Sequence, residues 1–320
     1  GTISGRGDGR FAHGAVTPPD WLALGGDFRF ALGGKQLDDE EPTLLAFPMQ
    51  ADLHARIAAG PISLNLTAGL NGAARTRPAG TSALNYVVSR QHYVMYQREL
   101  DTFHVRIGRF FPVFGLRSQD HTAYERRYLD QYTLEEPYAV AVGTTGDAWE
   151  GHLAAFVGNP IRLTGAGARA SGATAYYERL IADGAVTIAG QARVAITDED
   201  RRYTAGAVGK WWLAGPKLLA MAELDLQRQS FTGLDAARLQ LVGHVGVTKM
   251  MLPGYMIGAA LQRWAPDVML QGSTRNAFEL NFQVFPWAHV EVHLLTRVEA
   301  TGGDTTHPNL LAFLQLHYYL

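Results

Sequence analysis

Phe278-Glu279-Leu280-Asn281-Phe282-Gln283-Val284 alternates apolar and polar residues at every position. In an extended strand successive side chains point to opposite faces. These seven residues therefore give a strand one oily face and one wet face. Ile62-Ser63-Leu64-Asn65-Leu66-Thr67, Glu223-Leu224-Asp225-Leu226-Gln227 and Val290-Glu291-Val292-His293-Leu294 repeat the pattern, and Val186-Thr187-Ile188 opens another run. Two architectures accept such strands: a large soluble sheet with one wet face, and a closed barrel whose oily face meets lipid.

Connection lengths separate the two. The alternation places about sixteen strands, over 20–33, 47–59, 61–72, 85–98, 101–111, 135–145, 148–158, 172–182, 184–196, 201–214, 216–230, 236–249, 254–265, 274–286, 288–299 and 309–320. Even-to-odd connections are short and carry turn chemistry, as in Asp183-Gly184, Gly215-Pro216 and Pro253-Gly254. Most odd-to-even connections are longer and polar: 34–46, 73–84, 112–134, 159–171, 266–273 and 300–308. A soluble sandwich has no reason to keep that parity along the whole chain. Tight turns at one end, longer loops at the other and an even strand count are the pattern of a transmembrane β-barrel. The final strand agrees, because Ala312, Leu314, Leu316, Tyr318 and Leu320 form one apolar face running to the last residue.

Composition excludes other classes. The formal charge is −2, so no basic excess points to nucleic acid. There is no cysteine, which removes disulfide frameworks and thiolate metal sites. A mean hydropathy of −0.07 looks soluble, but barrel strands average out in that index. The longest run without charge or amide, Met250 to Leu261, is broken by Pro253-Gly254 and falls short of the roughly 20 apolar residues a spanning helix needs. The 35 glycines and 13 tyrosines suit crowded turns and interfacial girdles.

Strand count, parity, terminal strand and mass resemble the sixteen-stranded bacterial porins across residues 20–320. Ile107-Gly108-Arg109-Phe110-Phe111-Pro112-Val113-Phe114-Gly115-Leu116 is similar to the strand-then-loop motif of phosphate-selective porins of the O/P type. Arg109 before Phe110, and Arg117-Ser118-Gln119-Asp120-His121-Thr122 after the motif, depart from that family. The terminal residue is Leu320 where the usual assembly signal ends in phenylalanine. The resemblance implies an all-β, antiparallel up-and-down barrel in a Gram-negative outer membrane. Its third outer loop would fold inward, and small polar or ionic solutes would diffuse through. Outer-membrane lipid and a homo-oligomer, a trimer, are the implied partners.

The loop 112–134 is the expected constriction. Phe111, Phe114, Leu116, Tyr124, Tyr128, Leu129 and Tyr132 need a wall to pack against, and the barrel interior supplies one. The constriction set is Arg117, Asp120, His121, Tyr124, Glu125, Arg126, Arg127 and Asp130, with Glu135 and Glu136 at the rim. Three arginines against three acids leave it balanced, and His121 tips it positive on acidification. Mixed charge beside a path selects ions by sign. Alternation puts Asp52, Arg56, Arg106, Glu223, Asp225, Arg238, Glu279 and Glu291 on the lumen wall, with Asp27 and Arg29, in a hydrated interior.

Residues 1–19 read as a flexible, glycine-rich periplasmic segment. Arg6-Gly7-Asp8 within it spells an adhesion tripeptide, for which a bland lead-in is the simpler account. The segment motivates an alternative: a barrel that sheathes or anchors a periplasmic partner, such as an electron carrier or a lipoprotein. Enzymatic readings find little support. His152, His244, His289 and His293 are possible bases or ligands, but residues 289 and 293 on one strand face would stand roughly 13 Å apart. No metallohydrolase helix, nucleophile elbow or phosphate loop is present. Neither enzyme activity, cofactor nor metal is expected.

Overall fold

The computed structural model describes residues 17–37, 40–70, 87–98, 102–118, 120, 122–131, 136–158 and 170–320. Sixteen strands run in chain order: β1 (Leu22–Gln36), β2 (Thr43–Ala59), β3 (Ile62–Leu70), β4 (Val87–Arg98), β5 (Phe103–Arg109), β6 (Tyr138–Gly146), β7 (Trp149–Val157), β8 (Ser171–Ile181), β9 (Val186–Ile196), β10 (Asp200–Leu213), β11 (Leu218–Phe231), β12 (Ala237–Leu252), β13 (Tyr255–Ala265), β14 (Arg275–Trp287), β15 (Val290–Thr301) and β16 (Asp304–Tyr319). Each pairs antiparallel with its sequence neighbours, and β16 pairs with β1, so the sheet closes. Closure leaves no sheet edge, which is the condition for crossing a bilayer with strands. One short helix, α1 (Tyr124–Arg127), lies in the connection between β5 and β6. Among the described residues no helix is long and apolar enough to cross a membrane.

The two faces follow the alternation. On β11 Leu224 is 53 % exposed, whereas Glu223 and Asp225 are 3 % and 0 % exposed. Ile188, Val245, Leu261, Phe282 and Leu316 point outward with Leu224. In water each such side chain would forfeit about 1.5–3 kcal/mol of burial. A lipid belt restores it. Trp21, Tyr96, Phe103, Trp149, Trp211, Trp212, Tyr255 and Trp287 are exposed close to the short turns or the first strand's start. They form an aromatic girdle at one rim, where amphipathic rings favour the headgroup layer.

Turn chemistry explains the tight end. Ala182 and Asp183 both have positive φ, and the Gly184 amide donates to the Ile181 carbonyl at 3.2 Å. Ile181 pairs with Val186, so these residues make a tight four-residue loop, 182–185, with Gly184 also at positive φ. The expected long connection 300–308 is corrected: it is a two-residue hairpin turn. Gly302 and Gly303 have φ of 65° and 81° and join Thr301 directly to Asp304. Two adjacent glycines supply both positive φ values, so β16 starts five residues earlier than the alternation predicts, at Asp304 in place of 309. His289 is also moved: it sits in the turn between β14 and β15 with φ of 68°, off the strand face that carries His293.

Candidate pore-lining site

The connection after β5 is where polar chemistry gathers. It leaves the sheet at Phe110, whose ring packs with Ala139, Ala141, Phe156 and Ala195. Further on, Phe114, Tyr124 and Leu129 bury against Val242 of β12 and Ala277 of β14. The Tyr128 ring stacks on Trp264 of β13 at 3.8 Å between centroids. Val113 and Leu116 reach Tyr176, Ala189 and Val208. Phe114, Leu116, Tyr124, Tyr128 and Leu129 of the connection thus pack against strand residues.

Polar bonds then fix the backbone of this connection to the inward side chains. The Leu116 amide donates to Glu223 Oε2 at 2.7 Å, and the Tyr124 amide to Gln262 Oε1 at 2.9 Å. The Gly115 amide donates to Gln191 Oε1. Gly115 has φ of 68°, and a Cβ there would lie 2.5 Å from Glu223 Oε1. Glycine is therefore needed for both the turn and the approach.

Charge pairs reinforce the attachment. Arg297 of β15 binds Asp120, donates to Thr122 Oγ1 at 2.8 Å, and holds Glu279 of β14 at 2.6 Å. Asp130 accepts from Arg193 of β9 at 3.2 Å and from Arg202 of β10. Glu125 accepts from the Ser118 hydroxyl at 2.7 Å and stands 3.4 Å from His244 Nδ1 of β12. Burial pushes the Glu125 carboxyl up, but the hydrogen bond and charge of His244 and the Ser118 hydroxyl outweigh it and hold it below its ordinary 4.5. The Tyr124 hydroxyl bonds Glu299, and burial with that carboxylate raises the phenol.

The remaining constriction candidates divide. Arg126 donates to the carbonyls of Ser118, at 2.7 Å, and Gln131, at 3.1 Å. It closes the connection on itself. Arg127 is exposed and lies 5.4 Å from the Tyr128 ring centroid. Arg117 is exposed, with φ of 53°. His121, Tyr132 and Glu135 lie outside the described residues. Glu136 binds Arg109 of β5 at 3.0 Å.

On the wall, most of the expected charged side chains meet local partners. Glu223 and Asp225 lie under the connection, both accepting from Gln191 Nε2, at 2.8 and 2.7 Å. Asp52 holds Arg90 at 2.5 Å. His317 of β16 sits between Glu291, at 2.9 Å, and Asp27, at 2.7 Å, and ties β15, β16 and β1 together. Arg29 is 3.5 Å from Asp27. Arg238 donates to Gln229 at 2.8 Å. The Arg106 guanidinium is 4.9 Å from the Phe110 centroid. Among the described residues no carboxylate pairs with Arg56, Arg106 or Arg117.

Sequence reasoning missed Arg90, Arg193, Arg202, Arg297, Gln191 and Gln262, which do much of the anchoring. Their phase was readable in part: Thr187, Gln191 and Arg193 share one face of β9. Ala189 and Ala195 on that face, with Gly190 and Ala192 on the other, hide it. Adjacent Leu294 and Leu295, one exposed and one buried, hide it again before Arg297.

The closed sheet, its oily outer face and its polar inner face define a sixteen-stranded antiparallel β-barrel of the transmembrane kind. The chain matches no protein-family model and no curated protein sequence. Solved structures do resemble it. It is similar to OprB of Pseudomonas putida, with 13 % identity over 93 % of this chain and 94 % of that one and a TM-score of 0.70. It is similar to an anion-selective porin from Comamonas acidovorans, with 9 % identity over 93 % and 99 % and a TM-score of 0.66. A trimer form of OmpT from Vibrio cholerae matches at 11 % identity over 93 % and 99 %, with a TM-score of 0.64. At such identities the likeness is one of fold.

Proposed function

We propose that the protein is a passive pore for small polar and ionic solutes, narrowed by residues 112–134, and that its path favours anions. One observation carries the charge preference. The described carboxylates of the inner wall are either paired with a cation or, as with Glu223 and Asp225, buried beneath the connection. Among the described residues Arg56 on β2, Arg106 on β5 and Arg117 have no such partner. The connection packs mainly on β8 to β15, and Arg56 and Arg106 stand on β2 and β5, outside that set. Fixed charge of one sign beside a narrow path concentrates the opposite ion. The expectation of balanced charge at neutral pH gives way to this reading, because Asp120, Glu125 and Asp130 are already spent on Arg297, His244 and the Arg193–Arg202 pair.

Planar bilayers under a salt gradient test the proposal. The reversal potential is expected on the anion side, and Arg56→Gln with Arg106→Gln is expected to move it toward cations. A reversal potential indifferent to both substitutions removes the charge assignment. A barrel with no conductance removes the pore and favours the alternative, a sheath for a partner. A homotrimer is the assembly carried over from the OmpT trimer form, and residues 1–19 would face the periplasm as a lead-in. This reading assigns the chain transport and no catalysis.

A further inference from the structure

His104, Gly143, His152 and Tyr176 form one row across β5, β6, β7 and β8, each the direct partner of the next. All four positions face inward, near the end that carries the tight turns. Gly143 has no side chain, and the two imidazoles on either side lean over it. A Cβ built on Gly143 would lie 2.5 Å from His104 Nε2 and 2.6 Å from His152 Nδ1. Two ring nitrogens thus border a single point, and the ring centroids are 5.6 Å apart. His152 Nδ1 is buried and makes no hydrogen bond. The other nitrogen of that ring, Nε2, stands 3.7 Å from Glu150 Oε1.

We propose that His104 and His152 bind a borderline divalent transition-metal ion, of the class of Zn2+, Ni2+ or Cu2+, on the inner wall. Imidazole nitrogen suits these ions. Zinc takes it at about 2.0–2.1 Å, so an ion set toward the lumen from that point is reached by small ring rotations. Glu150 completes the usual arrangement in which a ligating histidine gives its second nitrogen to a carboxylate, which fixes the ring and strengthens the donor. The nearby Lys210 ammonium does not oppose the ion, since Glu178 holds it at 2.6 Å. Among the described residues no three His, Asp or Glu side chains converge as ligands. Lumen water therefore fills the remaining positions, and binding is reversible. A glycine at 143 is required: any side chain there occupies the space where the nitrogens meet.

The test needs no conductance, so its outcome is independent of the pore reading. The full chain, without a histidine tag, is folded in detergent micelles and titrated with Cu2+ by electron paramagnetic resonance and with Ni2+ by calorimetry. One site per chain is expected, with coupling to two nitrogens. His104→Gln and His152→Gln are each expected to leave one nitrogen and to weaken binding at least about tenfold, and Glu150→Gln to weaken it by about tenfold. His307→Ala, at the opposite end, is expected to change nothing. Heat-modifiable migration checks that each variant is folded. Folded wild type that binds neither ion overturns the proposal. So does binding that is the same in both histidine variants, which places the ion elsewhere.

Discussion

At the residue scale, the side of the wall decides what a substitution does. Leu224 faces outward beside the inward Glu223. Leu224→Arg or Phe282→Arg places a charge in the lipid belt and is expected to cost about 2–4 kcal/mol if near the midplane. Glu223→Gln keeps an acceptor for the Leu116 amide and gives Asp225 a donor, so it is expected to be nearly neutral. Urea titration in detergent or vesicles reads both; equal effects from the two substitutions would invert the facing assignment. Glu125 carries a pH dependence. Its carboxyl is held below 4.5 in the folded chain. A depressed carboxyl contributes stability above its unfolded value and loses it as the pH falls through its folded value. The attachment of α1 is therefore expected to be intact at neutral pH and to loosen below 4.5, seen as lower amide protection in 112–131 once the intrinsic exchange rate at each pH is divided out. Protection that does not change with acidification argues that Ser118 and backbone bonds alone hold Glu125.

At the element scale, the connection between β5 and β6 behaves as a part of the wall. Its apolar residues set its depth, and Arg193, Arg202 and Arg297 set its position. Arg297→Ala would leave the buried Glu279 without its cation and take one partner from the half-buried Asp120. Breaking a buried pair costs about 3–5 kcal/mol, and some of that cost is expected as a loosened connection with noisier and higher single-channel conductance. Unchanged conductance together with full stability would mean that Arg297 does not anchor it. The motif at 107–116 was legible as a strand that turns into a loop, and it does so: β5 ends at Arg109 and Gly115 makes the close approach to Glu223. Which strands hold the connection was not legible, since the attachment points spread over β9 to β15, up to 177 residues away in sequence.

At the scale of the whole molecule, the seam between the first and last strands closes the cylinder. Phe28 pairs with Tyr318, Asp27 with Tyr319, and the Leu320 amide donates to the Gly26 carbonyl at 3.0 Å. Deleting Tyr318 to Leu320 removes this end of the seam and is expected to lower the amount of protein assembled in outer membranes. Normal yield after that deletion would mean that closure is secured further along, where Leu32 pairs with Leu314. His317, between Asp27 and Glu291, is the polar counterpart of that seam.

Sixteen strands and their facing follow from the sequence alone, because a period of two and the residues of tight turns are local properties. Leu224 is outward and Glu223 inward whatever the rest of the chain does, once the strand is half in lipid. Even the Gly302-Gly303 hairpin was written locally, though read as part of a longer loop. What only the tertiary structure decided is partnership. Whether Asp130 is free charge beside a path or the partner of Arg193 and Arg202 depends on barrel closure and on which wall the connection meets. Whether His104 and His152 converge depends on strand register across Gly143. Register and closure are set by the sum of all the pairings around the cylinder, and no stretch of sequence carries that sum by itself.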